Sequence, residues 1–415
     1  MRVSIIAVGT ELLFGQTVNT NAAFLSENLN LMGFDVMYHF VVGDNPGRLR
    51  EKLADAFSDT DIVLLTGGLG PTQDDLTKET VAEYMGAEMY MDTRVIDDLR
   101  EFFHKRGGHM SENNFKQAYL PVGCTPFYNA TGTAPGFALE KDGKTAICFP
   151  GPPREMKWLF ENGAKQYLEQ YREKKMFYRV IRTIGIGESD LEMALMPLID
   201  GQTDPTIATY AKEGECTLRV ASQRDTAEEA EQAVTEMIER INEIIGKYIY
   251  SYDDEELNEV VVRMLKQHQL TVSSAESCTG GQFAASITDV AGASEVFNAS
   301  YVTYSSEAKI AELGVSAETI QEKGVVSPEV ALQMALGVRD KTGCDIAVSV
   351  TGYAGPEADP GRNAGEAYIG YAYGDHTGSV AVNTSRSIRK WNRNYFRLRM
   401  LRTVYLLLKG ENPGQ

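Results

Sequence analysis

A short apolar strand followed by a glycine-rich loop and a helix constrains the fold of this 415-residue chain more than any other segment. Residues 61–65, Asp-Ile-Val-Leu-Leu, form an apolar run typical of a buried parallel strand. The loop at residues 66–77 contains three glycines, and residues 76–85 are predicted to be a helix. Backbone N–H groups in such a loop can approach an anion at the helix N-terminus. The segment therefore predicts a phosphate site in an α/β fold.

Two adjacent carboxylates, Asp74 and Asp75, lie at the end of this loop and predict a hydrated divalent cation beside the anion. The alternative is structural: either aspartate caps the helix, and the glycines form a tight turn. One cap needs one aspartate, and Gly67, Gly68 and Gly70 exceed what a turn requires, which favours the anion site. The loop matches neither Walker A nor G-x-G-x-x-G, so those two ligand classes are not implied.

Composition restricts the function further. The length corresponds to about two or three domains, and no apolar run approaches the length of a membrane span. With no signal peptide recognised, we expect a cytoplasmic protein without membrane contact. The net charge of −18 disfavours nucleic-acid binding. The scattered cysteines predict free thiols and no zinc site, so any metal is expected to have oxygen ligands. They are Cys124, Cys148, Cys216, Cys278 and Cys344.

Strand and helix patterns alternate over the first part of the chain and predict a doubly wound parallel sheet. The predicted strands are 3–8, 34–42, 62–66, 136–139 and 145–149. The predicted helices are 21–32, 47–57, 76–85, 93–105 and 155–171. Such sheets bind ligands beyond the carboxyl ends of their strands, where the loops at 9–15, 42–45 and Gly67 would meet.

Charged stretches at 171–175 and 252–256 are predicted linkers. The segment between them predicts a β-α-β-β-α order, with strands at 178–184, 206–211 and 216–222 and helices at 189–198 and 227–245. We expect a spacer or dimerisation module there, because its Gly185-Ile-Gly187 turn is weak evidence for a ligand.

The third segment is again α/β. Its predicted helices are 257–268, 282–288, 307–313, 328–341 and 393–408, and its strands are 270–275, one ending near 304, 345–350, 367–373 and 380–382.

A hydroxyl, a phenol and an amine in the third segment suggest amide chemistry: Ser294, Tyr304 and Lys309. A cap at Ser305 or Ser306 places Lys309 in the first turn of its helix, where the helix dipole disfavours an ammonium and lowers the lysine pKa. A Ser-Lys pair can then attack an amide without histidine. The alternative is that Lys309 is a solvated lysine and Tyr304 a core residue.

Cys278 is a competing nucleophile. It follows a predicted strand at the start of a predicted helix, a position that lowers the pKa of a thiol. The alternative is a small buried hydrophobe packed under Gly280 and Gly281. The sequence alone leaves both open.

Short motifs are spread over nearly the whole chain. In the first part they are Gly9-Thr-Glu-Leu-Leu-x-Gly15, Asn19-Thr-Asn21, Val42-Gly-Asp-Asn45, the 66–77 loop, Asn114-x-x-Gln117, Thr133-Ala-Pro-Gly136 and Pro150-Gly-Pro-Pro-x-Glu-Met156. In the last part they are Ala275-Glu-Ser-Cys-Thr-Gly-Gly281, Thr303-Tyr-Ser-x-Glu-Ala-Lys309, Val325-Val-Ser327 and Thr351-Gly-x-Ala-Gly-Pro356. Together these motifs resemble those of the CinA family of competence/damage-inducible proteins.

The resemblance implies three α/β modules. Residues 1–172 resemble the molybdopterin-binding (MogA/MoaB-like) fold, associated in this family with ADP-ribose pyrophosphatase activity that needs a divalent metal (Mg, Mn or Co). Residues 176–250 resemble a KH-like spacer. Residues 254–411 are similar to nicotinamide mononucleotide deamidases, which need no cofactor and release ammonia to give nicotinic acid mononucleotide. A homodimer active in pyridine nucleotide salvage, with small nucleotides as ligands, is therefore expected.

The resemblance also assigns residues by position. Ser294 would be the nucleophile, Lys309 the base and Tyr304 a proton relay or orienting group. The nucleotide pocket would include Ser277, Cys278, Thr279, Gly280, Gly281, Thr351, Gly352 and Arg393, with Thr351 beside the scissile amide and Arg393 on the phosphate. The N-terminal pocket would be lined by Thr10, Glu11, Gly67, Gly68 and Thr72, with Asp44, Asp74 and Asp75 as metal ligands.

Three departures separate this chain from the family pattern. Residues 357–368 replace a glycine-rich turn and Lys-Pro-Val-Gly-Thr-Val, Trp391-Asn392-Arg393 replaces Gly-Asp-Arg, and Ala293 stands where a second serine is common. They bear on substrate affinity and specificity. Two alternatives follow: only the N-terminal hydrolase is active, or the protein has a non-enzymatic pterin-binding or competence-associated role.

Overall fold

The computed structural model describes residues 1–172 and 174–414. The chain divides into two compact units, the first formed by Met1–Phe177 with Ser222–Gln232 and the second by Tyr178–Ala221 with Ala233–Gln415. Both combine helices with mixed sheets, so the predicted α/β class is confirmed.

The main sheet of the first unit is mixed rather than wholly parallel. Its order is β2-β1-β3-β8-β7-β6, and only β2, β1, β3 and β8 run parallel. The antiparallel edge arises because β7 and β8 are joined by a tight turn at Asp142 and Gly143, both at positive φ, whereas parallel neighbours need a crossover. The strands of this unit are β1 (Arg2–Val8), β2 (Asp35–Val42), β3 (Ile62–Thr66), β4 (Met89–Met91), β5 (Tyr119–Pro121), β6 (Thr125–Phe127), β7 (Gly136–Lys141) and β8 (Lys144–Phe149).

Helices cover both faces of this sheet, as a doubly wound fold requires. The core on one face includes Leu25 and Phe160, and the core on the other includes Leu53, Val81 and Leu99. The predicted helix at 155–171 is interrupted by a π-helical turn at Phe160–Ala164. The helices are α1 (Thr10–Leu13), α2 (Thr20–Leu31), α3 (Pro46–Asp59), α4 (Thr77–Tyr84), α5 (Thr93–Lys105), α6 (Pro153–Leu159) and α7 (Lys165–Leu168).

The middle segment has the predicted β-α-β-β-α order and gains one strand. The three-residue β12 pairs antiparallel with β9 and completes a sheet of order β10-β11-β9-β12. Its elements are β9 (Lys175–Ile184), α8 (Glu188–Ile199), β10 (Thr206–Lys212), β11 (Glu215–Arg224), α9 (Ala227–Ile245) and β12 (Ile249–Ser251).

The C-terminal segment contains a five-stranded sheet of order β14-β13-β15-β16-β17, in which β13, β14 and β15 run parallel. The carboxyl ends of these three strands therefore meet at one edge. The strands are β13 (Val272–Glu276), β14 (Phe297–Val302), β15 (Ile346–Gly352), β16 (Glu366–Tyr373) and β17 (His376–Asn383).

Helices pack on both faces of this sheet as well. One core includes Met334 of α14, and the other includes Val261, Phe283 and Leu401 from α10, α11 and α15. The helices are α10 (Leu257–His268), α11 (Gln282–Thr288), α12 (Ser306–Leu313), α13 (Ala317–Lys323), α14 (Pro328–Thr342) and α15 (Arg389–Leu408). Helix α15 starts one turn before its predicted first residue, Arg393. Within the described chain, no helix has both the length and the apolar character that crossing a membrane requires.

Candidate active sites

A buried carboxylate fixes the turn that follows β13. Glu276, the last residue of β13, has no exposed surface. Its Oε2 accepts hydrogen bonds from the Thr279 hydroxyl (2.7 Å) and from the N–H groups of Gly281 and Phe283 (3.0 and 3.1 Å). Its Oε1 accepts from the N–H of Ala284 at 3.0 Å. Because helix N-termini leave N–H groups unsatisfied, Glu276 caps α11 from the preceding strand and holds the intervening turn.

This turn places Ser277 beside Lys309. The Ser277 Oγ lies 3.0 Å from the Lys309 Nζ, and that fully buried amine also donates to the carbonyl oxygens of Thr303 (2.8 Å) and Tyr304 (3.3 Å). Burial lowers the pKa of Lys309 from 10.5 to about 8. The expected direction of the shift agrees, but its cause is loss of water rather than the helix dipole. The alternative of a solvated lysine is excluded.

Ser294, the predicted nucleophile, lies at the opposite edge of the sheet. It is exposed in the 3-10 turn Ala293–Glu295, directly before β14, whereas Lys309 follows the end of that strand. A strand of this length spans roughly 20 Å. Because β13 and β14 are parallel, Ser277 and Lys309 share the carboxyl edge and Ser294 cannot reach them. The predicted Ser294–Lys309 pair is therefore corrected to Ser277–Lys309.

Cys278 is a buried small residue rather than a reactive thiol. Its side chain is only 5% exposed, and burial raises its pKa to about 12. The predicted lowering of its pKa is wrong because burial of the thiol dominates, and because Glu276 already engages the first N–H groups of α11. A protonated, desolvated thiol is a poor nucleophile.

Tyr304 lies at the exposed side of this pair. It is 62% exposed, so the core alternative is wrong, and its phenol oxygen accepts a hydrogen bond from Arg389 Nη2 at 3.0 Å. Arg389 also donates to the Gly355 carbonyl at 3.0 Å and so links the turn after β15 to Tyr304. Sequence reasoning missed Arg389, because the start of α15 was predicted four residues later.

Arg393 and Thr351 hold main-chain carbonyls. The Arg393 guanidinium donates to the carbonyls of Cys278 (3.0 Å) and Thr279 (2.6 Å), and so supports the Ser277 turn. The Thr351 hydroxyl is buried and donates to Val325 O at 2.9 Å. These contacts make both residues positioning groups. The resemblance predicted Arg393 on the phosphate and Thr351 beside the scissile amide. In the structure, main-chain carbonyls already occupy the hydrogen-bond donors of both side chains.

Three glycines at this edge are required, two by their backbone conformation and one by close packing. Gly280 and Gly281 have φ of +62° and +93°, which a turn of this shape requires. A Cβ on Gly352 would lie 2.4 Å from the Cβ of Ala367 on β16. The atypical segment 357–368 follows Gly352 along the chain and is held by the Tyr353 hydroxyl, which donates to Asp359 at 2.6 Å.

In the first unit, the glycine-rich loop packs against the end of β1. Gly67 and Gly68 have φ of +104° and +67°. A Cβ would lie 2.0 Å from the Val8 carbonyl oxygen in the first case and 2.1 Å from the Thr77 hydroxyl in the second. Only glycine permits both the conformation and the close approach.

The two carboxylates of the loop converge on one hydroxyl. Thr72 Oγ1 lies 2.5 Å from Asp74 Oδ1 and from Asp75 Oδ2, and this hydrogen bond lowers the pKa of Asp74. The N-cap of α4 is Leu76, without a side-chain cap, so the capping alternative is excluded. Lys116 donates to the Thr72 and Asp75 carbonyls at 2.7 and 2.6 Å, an anchor that sequence reasoning missed.

The three predicted metal ligands do not form one group. Asp44 instead accepts hydrogen bonds from the N–H and hydroxyl of Thr10 at 2.9 and 2.7 Å. Glu11 is exposed next to Thr10 at the start of α1. In residues 1–172 and 174–414, no three His, Cys, Asp or Glu side chains are grouped to hold a metal ion. Asp74 and Asp75 alone still fit Mg²⁺, which keeps several waters and completes its shell with substrate phosphates.

The fold and these sites define a modular α/β protein with a molybdopterin-binding-like first domain. Family models match residues 4–170 (probable molybdopterin binding domain), 178–251 (damage-inducible protein CinA KH domain) and 254–409 (CinA C-terminal domain). The chain belongs to the CinA family, as its motifs predicted.

Its relatives match over nearly their full length. A putative competence-damage inducible protein of Caldicellulosiruptor saccharolyticus is 47% identical over 386 residues, 93% of this chain and 94% of the relative. A CinA-like protein of Dictyoglomus thermophilum is 47% identical over 371 residues, 89% and 90% of the two chains. A crystal structure of CinA, of unknown function, from Thermoplasma acidophilum is 36% identical, covering 40% of this chain and 98% of that one with a TM-score of 0.38.

Glu276→Gln keeps the side-chain shape but replaces an acceptor oxygen with a donor amide, which leaves N–H groups of α11 without a partner. We expect the free energy of unfolding of the second unit to fall by roughly 2–4 kcal/mol in urea denaturation. The control Glu295→Gln removes an exposed ion pair with Lys266 and should cost less than about 0.5 kcal/mol. Equal losses in the two variants would contradict the capping role.

Proposed function

We propose that Ser277 and Lys309 hydrolyse the amide of nicotinamide mononucleotide to nicotinic acid mononucleotide and ammonia. The observation that carries this proposal is the 3.0 Å contact between the Ser277 hydroxyl and a buried amine whose pKa is about 8. A lysine with that pKa is a competent general base near neutral pH, whereas an ordinary lysine is not. The substrate class follows from the likeness of the CinA C-terminal domain to nicotinamide mononucleotide deamidases.

The contacts of Lys309 suit proton transfer. When the amine is neutral, its two hydrogens face the Thr303 and Tyr304 carbonyls, which leaves the lone pair for the Ser277 hydroxyl. Lys309 takes the hydroxyl proton as the oxygen bonds to the amide carbon. It then gives that proton to the leaving nitrogen, the C–N bond breaks, and ammonia departs. Water cleaves the resulting ester with Lys309 again as the base, which restores Ser277 and releases the acid.

Tyr304 and Arg389 form the exposed rim of this pair. The Arg389 guanidinium is held by the phenol oxygen and by the Gly355 carbonyl, each at 3.0 Å. A cation held in one orientation suits a phosphate-bearing substrate. We therefore propose that Arg389, rather than Arg393, contacts the phosphate and that Tyr304 orients the nucleotide.

A second proposed activity is metal-dependent cleavage of the ADP-ribose pyrophosphate in the first unit. The convergence of Asp74 and Asp75 on Thr72, beside the glycine-rich loop, supports it. Asp74 and Asp75 would hold the metal, and N–H groups of the loop would bind phosphate oxygens. A bound divalent metal would supply positive charge to the pyrophosphate and lower the pKa of a bound water. Both reactions would then recover products of NAD turnover.

Removing either member of the proposed pair should abolish deamidation. Ser277→Ala and Lys309→Met should each reduce ammonia release from nicotinamide mononucleotide by roughly 10³-fold or more. The control Ser294→Ala, a hydroxyl at the opposite edge of the sheet, should stay within about twofold of the unchanged protein. The reverse pattern, with Ser294→Ala inactive and Ser277→Ala active, would overturn the assignment. Thermal unfolding of each variant checks that the fold is retained.

The rate should depend on the protonation of Lys309. The base works only when neutral, and its pKa is about 8, so kcat/KM should rise about tenfold per pH unit below that value and level off above it. Cys278→Ala should retain this profile, because the thiol is not the titrating group. A profile flat between about pH 6 and 8, or one lost in Cys278→Ala, would contradict the role of Lys309.

The two proposed activities should respond differently to metal removal. A chelator should stop ADP-ribose cleavage and leave deamidation unchanged. Asp75→Asn should lower ADP-ribose cleavage by roughly 10²-fold or more, whereas Asp97→Asn, which removes a surface carboxylate of α5 paired with Arg100, should have little effect. Cleavage that survives both the chelator and Asp75→Asn would refute the metal site.

A further inference from the structure

A cavity of about 420 Å³ lies within the second unit, between the turn that joins β9 to α8 and the helix α15. The turn contributes Gly185–Gly187, which by sequence alone was only weak evidence for a ligand site. Helix α15 contributes Trp391, Tyr395, Arg399 and Arg402, which recur at the spacing of one helix face. Residues 211–216, around the turn between β10 and β11, complete the lining, so three segments of the chain border one space.

More cations than carboxylates line this cavity. The cations are Lys212, Arg386, Arg399 and Arg402, and the carboxylates are Glu188 and Glu215. Glu215 is nearly buried and already accepts a hydrogen bond from Tyr250 at 3.1 Å. A local positive excess on a chain of net charge −18 indicates a site for an anion.

Arg402 enters the cavity because Gly185 has no side chain. A Cβ on Gly185 would lie 2.8 Å from Arg402 Nη2. Burial lowers the pKa of Arg402, and the nearby charge of Arg399 lowers it further. Within residues 1–172 and 174–414, neither guanidinium has a carboxylate oxygen within 4.0 Å. Glu411 favours the charged form of Arg402 only from beyond ion-pair distance. Two neighbouring, half-buried cations without a carboxylate in direct contact are costly, and a bound phosphate would offset that cost.

A flat aromatic surface adjoins these cations. The rings of Trp391 and Tyr395 are stacked, with centroids 5.1 Å apart and an angle of 13° between their planes. The Arg386 guanidinium lies 4.3 Å from the centroid of Trp391. Stacked aromatic rings with a guanidinium are a surface on which a planar ring can stack.

We propose that this cavity binds a small ligand that joins a phosphate to a planar ring, the chemistry of a mononucleotide. The phosphate faces Arg399 and Arg402 near the start of the 12-residue helix α8, and the ring stacks beside Trp391. The volume lies within the roughly 300–1,000 Å³ of small-molecule pockets. Arg389 and Arg393 serve the Ser277 turn from another face of α15, so this site does not rest on the proposed deamidase.

The chain offers its own optical probe for this site. It has two tryptophans, Trp158 and Trp391, so Trp158→Phe leaves Trp391 as the sole reporter, within the cavity. In that background, AMP should change the Trp391 fluorescence saturably. Adenosine and inorganic phosphate, each lacking half of the ligand, should bind at least about tenfold more weakly. A response to adenosine equal to that to AMP would contradict the phosphate site.

Variants of the full-length chain locate the binding. Arg399→Gln and Arg402→Gln should each weaken AMP binding by about tenfold or more, whereas Arg402→Lys should retain part of it. Lys390→Gln removes a charge from α15 outside the cavity and should leave the affinity unchanged, as should Ser277→Ala. No saturable response to AMP, or unchanged affinity in both arginine variants with intact thermal unfolding, would overturn the proposal. Binding of a single-stranded oligonucleotide without binding of AMP would do so as well.

Discussion

The buried carboxylate of Glu276 determines where the reactive groups of the C-terminal domain lie. It ends β13 and accepts hydrogen bonds from three N–H groups around the start of α11, so strand, turn and helix have one relative arrangement. A buried carboxylate that loses its hydrogen-bond donors is strongly destabilised. The turn therefore keeps the conformation in which these N–H groups reach Glu276. Ser277, the first residue of that turn, therefore lies within hydrogen-bond distance of Lys309, which α12 carries just after β14 ends.

Two buried lysines illustrate how one physical cause gives different roles. Burial lowers the pKa of both Lys78 and Lys309 to about 8. Lys78 donates to the Lys116 carbonyl at 2.8 Å, and Lys116 in turn anchors the loop that carries Asp75. Lys309 also donates to main-chain carbonyls, but in addition it lies 3.0 Å from the Ser277 hydroxyl. The Lys78 amine, with a carbonyl partner, supports structure, whereas the Lys309 amine also has a hydroxyl from which it can accept a proton.

The sequence predicts elements whose pattern is local and misses those set by tertiary contacts. Strand β3 and helix α9 have their predicted bounds, because an apolar run and a sustained amphipathic period define them. The three-residue strands β6 and β12 carry no such pattern. The choice between Ser277 and Ser294 fails for a related reason. Ser294 is nearer to Lys309 along the chain, but parallel pairing of β13 with β14 brings the distant serine to the lysine and separates the near one.

A net charge of −18 predicts weak affinity for nucleic acid, but it does not locate the anion sites proposed for this protein. Five arginines lie on α15, and helical periodicity separates them by face. Arg389 and Arg393 contact Tyr304 and the carbonyls of the Ser277 turn, whereas Arg399 and Arg402 line the cavity beside Gly185. Net charge sums over the whole surface, but a binding site depends on the few charges that one face of a helix brings together. An acidic chain can therefore hold local sites for phosphate, and their position follows from the register of α15.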